Sequence, residues 1–442
     1  MKKLLYIIII IALALPVGMV AQSGTNSPYS QYGYGKISDQ STGLSRGMNG
    51  VGLAFRERNL VNYMNPASYS GVDSLTFVFD VAMSLQSTNF RENGKSKNAN
   101  NGDFEYAVAS FRVMRHLGMS FGILPYTNIG YNYNMASRNV VDEQTANGAT
   151  SYLGGTTYSA AYSGSGGLHQ IYLGAGWEPV RNVSVGMNVS YIFGNMTNSV
   201  VTSFSDTYVK SLSGISTTDV RSVKFDFGAS YTHEIDAKRS VTVGLTYSPG
   251  KKLGADTEFR IITTNTQSAV NDTTLYVARN AIELPTQFGL GLSYKYGSKW
   301  LLGMDYTLQK WASVDRVPYV NEATNVVYDY TDSYSNRHKI NFGGQYCKNT
   351  MGFSFLDRLR YRFGVGYTSS FLKINGHDGP SEFSLSAGVG IPIMNQWNNR
   401  SILNVGVQWQ HASAKNLITE NTFLFNIGIT FNENWFSKWK FQ

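Results

Sequence analysis

The chain has 442 residues, a formal net charge of +8, 14% aromatic and only 15% charged residues, and one cysteine, Cys347. Ordinary globular domains carry about 25% charged residues, and a single cysteine excludes both an internal disulfide and a cysteine-based zinc site. A mean hydropathy of −0.20 is too low for a bundle of membrane helices, and no dense Lys/Arg tract points to nucleic acid.

Lys2 and Lys3 precede an apolar run from Leu4 to Leu15, followed by Pro16, Gly18 and Ala21. A charged start, a short apolar run and a small residue are the order of a secretory signal, so residues 1–21 are expected to be removed on export. No cysteine follows the run, so the chain is not anchored by a lipid at that position.

Residues 22–72 do not alternate. They are rich in Gly and Tyr: Ser27-Pro28-Tyr29-Ser30, Tyr32-Gly33-Tyr34-Gly35, the stretch from Arg46 through Gly47, Gly50 and Gly52, then Asn65-Pro66-Ala67-Ser68. Low charge with many aromatic residues favours packing over disorder. The segment is expected to form a periplasmic tail or to fold into a lumen as a plug.

From residue 73 the pattern changes to period 2. Val183, Val185, Met187, Val189, Tyr191 and Phe193 alternate with small or polar residues; so do Phe423, Phe425, Ile427, Ile429 and Phe431. Successive side chains of a strand point to opposite faces. The spacing predicts about 14 strands, over 73–90, 102–115, 117–136, 166–179, 181–198, 220–235, 238–249, 283–294, 298–311, 335–347, 357–371, 380–392, 399–412 and 420–432. Many runs reach the roughly 9–11 residues that cross a membrane, against a mean of about 5–6 in soluble sheets. Connections alternate: short near 115–118, 178–182, 234–239 and 295–299, somewhat longer at 347–355 and 392–399, and long at 137–165, 199–219, 250–282 and 312–334. Short periplasmic turns opposite long extracellular loops, with an even strand count, are the habit of bacterial outer-membrane barrels. The fold class is therefore an all-β transmembrane antiparallel barrel over 73–432, with a periplasmic tail at 433–442.

Within this pattern Asp80, Lys224, Asp226, Asp305, Lys339, Arg360 and Arg362 fall on the inward face. Facing lipid at mid-bilayer would cost Lys or Arg roughly 2–4 kcal/mol, so the lumen is the cheaper place for them. Structural pairing is the commoner role of such charges, and a solute-selective site the rarer one. Pro125 lies inside the third strand, where it removes a ladder hydrogen bond. A local bulge or gap in the wall is expected there, and with it a candidate lateral opening. None of the six histidines (His116, His169, His233, His338, His377 and His411) lies at metal-ligand spacing from another, and no nucleophile motif stands out. No enzymatic activity and no cofactor are expected.

The glycine-rich stretch with Gly47, Gly50 and Gly52, followed by Asn65-Pro66-Ala67 just before the first strand, resembles the FadL family of outer-membrane transporters for long-chain fatty acids and hydrophobic compounds. That resemblance implies a fourteen-stranded barrel with a luminal hatch over 22–72 and a lateral opening at a kinked third strand, here Pro125. It implies passive uptake of a hydrophobic or amphiphilic ligand across the Gram-negative outer membrane, with outer-membrane lipids around the barrel. Family members often continue their motif with Gly-Leu, where this chain has Ser68-Tyr69. The Ser27-Pro28-Tyr29-Ser30 start, Asn65-Pro66-Ala67-Ser68-Tyr69 and the ending with Asn434-Trp435-Phe436 look like barrels of the Bacteroidota. Some of those serve as accessory barrels in secretion or in β-barrel assembly, which implies outer-membrane or periplasmic protein partners.

Overall fold

Fourteen stretches of alternating residues close into one wall in the computed structural model, which describes residues 24–142, 151–321, 323–328, 333–374, 376–393 and 401–433. The expected signal at 1–21 and residues 434–442 of the expected tail lie outside the described residues. The strands are β1 (Phe77–Glu92), β2 (Lys95–Met114), β3 (Leu117–Asp142), β4 (Ser151–Val180), β5 (Val183–Phe204), β6 (Ser211–Glu234), β7 (Arg239–Ser248), β8 (Gln287–Tyr296), β9 (Trp300–Gln309), β10 (Arg337–Tyr346), β11 (Arg360–Thr368), β12 (Ser381–Ile393), β13 (Ser401–Ser413) and β14 (Thr419–Glu433). Each pairs antiparallel with the next in chain order. The last returns to the first, from Phe77 opposite Glu433 to Arg91 opposite Thr419.

Burial runs opposite to that of a water-soluble sheet. On β14, Phe425 is 48% exposed while its neighbour Asn426 is 6% exposed. Phe423 and Ile427 share the outer face, and Thr422, Gly428 and Thr430 the inner one. An apolar outer band with a polar interior is stable when lipid, not water, surrounds the wall.

The strands depart most from the expected spans at the long-loop end, and by up to four residues at the other, where β1 starts at Phe77 and β11 at Arg360. The expected loops at 137–165 and 199–219 are largely ladder, since β3 runs to Asp142, β4 starts at Ser151, β5 ends at Phe204 and β6 starts at Ser211. Beyond the bilayer both faces meet water, so backbone pairing continues after the hydrophobic alternation has faded. Strand β4, with 30 residues, runs roughly 100 Å at about 3.3 Å per residue. Within the expected loop at 250–282, a further hairpin of Thr257–Thr264 and Asn271–Ala278 extends the sheet from β6. Strands β7 to β11 have only 9 or 10 residues each. The barrel thus has a tall side, β1 to β6, and a low side. Its β1–β2 turn is an Asn-Gly pair with φ of 48° at Asn93 and 75° at Gly94, the left-handed pair that a two-residue hairpin requires.

Residues 24–76 lie against the inner wall. They form two short 3-10 helices (Pro28–Gln31 and Pro66–Gly71), a two-residue strand (Lys36–Ile37) and one helical turn (Gly43–Arg46). Their backbone approaches the wall where the wall has no side chain. A Cβ on Gly244 would sit 2.0 Å from the Leu53 carbonyl oxygen, one on Gly186 2.4 Å from the Pro66 carbonyl carbon, and one on Gly343 2.6 Å from the Met48 carbonyl oxygen. These inner glycines belong to three separate strands, so the segment touches the wall on several sides.

Candidate functional site

The glycines of the motif act through their backbone, and Asn65 through its side chain. The amides of Gly52 and Leu53 both donate to Asp305 Oδ2, at 2.6 and 2.9 Å. Asn62 Nδ2 donates to the Gly52 carbonyl at 2.6 Å, which closes the turn from the other side. Gly50 has φ of +77°, a left-handed position beside Asp39 and Lys339, and Gly47 lies over Arg362 and Gly388. Asn65 caps the helix at Pro66–Gly71, its side chain accepting from the Ala67 amide at 3.1 Å and donating to the Leu53 carbonyl at 2.6 Å. Proline in the first helical turn and Asn at the cap are the favoured residues there. The two halves of the motif are thereby tied together at Leu53.

The inward charges do not form one network. Lys224 and Asp226 pair along a single strand at 2.6 Å, and Tyr63 and Ser248 also donate to Asp226, at 3.0 and 2.5 Å. Asp80 accepts from Tyr106 and Thr430, at 3.2 and 3.1 Å. Arg362 donates to Gln345 and Asn404, at 2.9 and 2.7 Å. Arg360 lies at the short-turn end of β11, and Lys339 faces Asp39.

One buried tie was not legible from the period. Arg46 and Glu105 form a buried ion pair at 2.8 Å, their side chains 6% and 8% exposed. Glu105 is an extra residue in β2: Ala82 faces Tyr106 while Met83 faces Phe104. Such a bulge resets the alternation, so Glu105 and Tyr106 both end up buried. Its only trace in the sequence is a charge that fails to fit the inward phase. Asp39 completes the group. Burial would raise its carboxyl, but Lys339 and Arg46, with a hydrogen bond from the Ser41 amide, hold it down at about 2.

The ladder between β2 and β3 stops short of Pro125. Strands β2 and β3 pair only from Met114 opposite Leu117 to Ala107 opposite Ile123. Above that, β2 continues on β1 and β3 continues on β4, whose register shifts between Pro125 and Thr127. Luminal residues line this edge. Lys36 and Ile37 pair with Asn128 and Thr127, the Ser38 amide donates to the Tyr126 carbonyl at 3.0 Å, and Gln40 Nε2 donates to the Pro125 carbonyl at 2.9 Å. Across the gap Asn128 donates to Asp103 at 3.1 Å, with Gly24 against both side chains.

Two cavities of about 110 Å³ each lie within the lumen. The first is lined by Lys36, Asp39, Arg46, Asp103, Glu105, Arg337, Lys339 and Glu382, the second by Tyr63, Tyr126, Lys224, Asp226, Asp305, Arg337 and Lys339 among others. A larger cavity of about 400 Å³, at the long-loop end, is bordered by Tyr34, Phe259, Tyr319, Tyr334 and Arg316. Among the described residues no group of His, Cys, Asp and Glu is placed to hold a metal ion.

The fold is that of the FadL-type channels. The chain is similar to a Pseudomonas aeruginosa FadL homologue at 11% identity, covering 90% of this chain and 99% of that chain, with a TM-score of 0.62. It is similar to the Ralstonia pickettii toluene transporter TbuX at 14% identity, 89% and 98% coverage and a TM-score of 0.59. The P. putida toluene transporter TodX aligns at 12% identity, 91% and 100% coverage and a TM-score of 0.58. No curated protein sequence matches. The model of one protein family, described as BamG, matches residues 1–442.

Proposed function

Since the chain belongs to the BamG family, we propose that it is a non-conducting accessory barrel of an outer-membrane protein complex, of the kind that serves β-barrel assembly or secretion. The polar lumen carries this reading. Residues 24–72 act as a fixed plug, held by Asp305, by Glu105 and by backbone seated on wall glycines. A hydrophobic solute crossing the two cavities would have to pass the charged groups of Arg46, Arg337, Lys339, Asp39 and Glu105, none of which it can hydrogen-bond, and leaving charge without compensation is costly. Membership of the BamG family supports a protein partner. The Bacteroidota-like motifs support a home in the outer membrane of that group of Gram-negative bacteria.

Passive uptake of a hydrophobic or amphiphilic compound is the second reading. The gap beside Pro125 favours it, together with the toluene transporters among the structural neighbours. Purification from native membranes in mild detergent separates the two. A stoichiometric protein partner and no bound lipid is the result expected. Fatty acid or hydrocarbon held near Arg46 and Asp39, with no protein partner, would overturn the accessory role in favour of uptake.

A further inference from the structure

The connection between β10 and β11, residues 347–359, presents large apolar side chains on a fixed scaffold. Phe353 is fully exposed at 104%, and Met351, Phe355 and Leu356 are each more than half exposed. The backbone beneath them is tied. The Asn349 amide donates to the Asp357 carbonyl at 2.9 Å and the Gly352 amide to the Asn349 carbonyl at 3.1 Å. Asn349 Oδ1 accepts from the Met351 amide at 3.0 Å. Lys348 pairs with Asp357 at 2.9 Å, and Arg358 donates to the Gly352 carbonyl at 3.2 Å. The exposure is therefore built into the turn.

The position of the turn identifies what covers it. It begins one residue after Tyr346, which faces Trp300 and Tyr361 across the ladder. The Trp300 and Tyr346 rings lie 4.6 Å apart. Aromatic residues at strand ends mark the boundary between lipid tails and headgroups. The Cys347 amide donates to the Lys299 carbonyl at 2.8 Å, which holds the turn at that level. Met351 and Leu356 each lie five residues from a boundary tyrosine, at most roughly 17 Å of extended chain.

We propose that this turn is a membrane foot, whose Met351, Phe353, Phe355 and Leu356 enter the lipid leaflet at the short-turn end of the barrel. Between the lipid-facing band of β10 and β11 and these side chains lie Lys348, Asn349 and Thr350 on one side and Asp357 and Arg358 on the other, a polar collar at headgroup level. Lys348 is placed among the headgroups, where a Lys beside apolar side chains is favourable. The inference is independent of what the lumen does.

The test places a fluorescent label at Phe353→Cys, and separately at Leu356→Cys, in a Cys347→Ser background, with Tyr208→Cys at the tall end as the aqueous reference. The protein is reconstituted in vesicles of phosphatidylethanolamine and phosphatidylglycerol, with or without lipid carrying a nitroxide near its headgroup. Labels at 353 and 356 should be quenched at least twofold by the nitroxide lipid and shielded from iodide, with the reverse at 208. Iodide quenching at 353 and 356 equal to that at 208, with no response to nitroxide lipid, would overturn the proposal. So would shielding that arises only when a co-purified protein is present.

Discussion

Replacing Glu105 with Ala isolates the contribution of the luminal ion pair. The change leaves the Arg46 guanidinium buried without its carboxylate. Breaking a buried pair from one side costs about 3–5 kcal/mol. Arg46 keeps the Asp39 carbonyl at 3.2 Å and the nearby Asp39 carboxyl, which places this case at the low end, roughly 3 kcal/mol. At about 1.4 kcal/mol per tenfold, amides in residues 39–50 should exchange hydrogen roughly a hundredfold faster. Hydrogen exchange read by mass spectrometry resolves that window, with β8 and β9 as internal references that should not change. The double variant Arg46→Met/Glu105→Leu removes both charges and should recover most of the protection, since apolar replacements of a buried pair are often tolerated. Protection within threefold of the parent in Glu105→Ala would refute the reasoning. A double variant as labile as the single one would attribute the effect to packing instead of charge.

Gly244→Val drives a side chain into the Leu53 carbonyl oxygen, which the Cβ alone would approach to 2.0 Å; limited proteolysis should then cut within 45–65, while the lipid-facing Val243→Leu stays resistant. Asp39 has a folded value of about 2 against an ordinary 3.8, so its stabilising effect is complete above about pH 4 and is lost as the pH falls toward 2. Hydrogen exchange of residues 36–50 should accelerate across that window, and Asp39→Asn should flatten the profile. Ile37 and Thr127 are register partners, so Ile37→Cys/Thr127→Cys in a Cys347→Ser background should oxidise to a disulfide visible by gel shift. That bond closes the wall edge: under the accessory reading co-purification of partners is unchanged, whereas lost uptake of a hydrophobic probe would favour transport.

Much of the wall was legible because lipid imposes a simple rule. Where both a bilayer and a lumen act on a strand, Phe423, Phe425 and Ile427 must face one way and Thr422, Asn426 and Thr430 the other. Fourteen strands and their order follow from counting such runs and the turns between them. Above the membrane that rule lapses, so the ladders of β3 to β6 read as loops, and the Asn93-Gly94 turn lies among polar residues that lack a period. Glu105 was hidden for a different reason: its bulge breaks the phase on which an inward assignment depends. The segment 22–72 could be recognised as packed from its glycines and tyrosines. Its partners could not, because backbone contacts such as Gly52 to Asp305 leave no trace in side-chain spacing.

The glycines of the inner wall also constrain the order of assembly. A segment whose backbone rests on Gly186, Gly244 and Gly343 is enclosed from several sides, while the seam that completes the ring joins Phe77 to Glu433, from opposite ends of the barrel sequence. Inserting that segment into a finished ring would mean desolvating its amides before Asp305 can accept them. The lower barrier has residues 24–76 docked first and the β1–β14 seam zipped last, around its own contents. Pairing so distant in sequence is intrinsically slow, so the open ring, with its seam edges unsatisfied, is the state in which this chain most needs help.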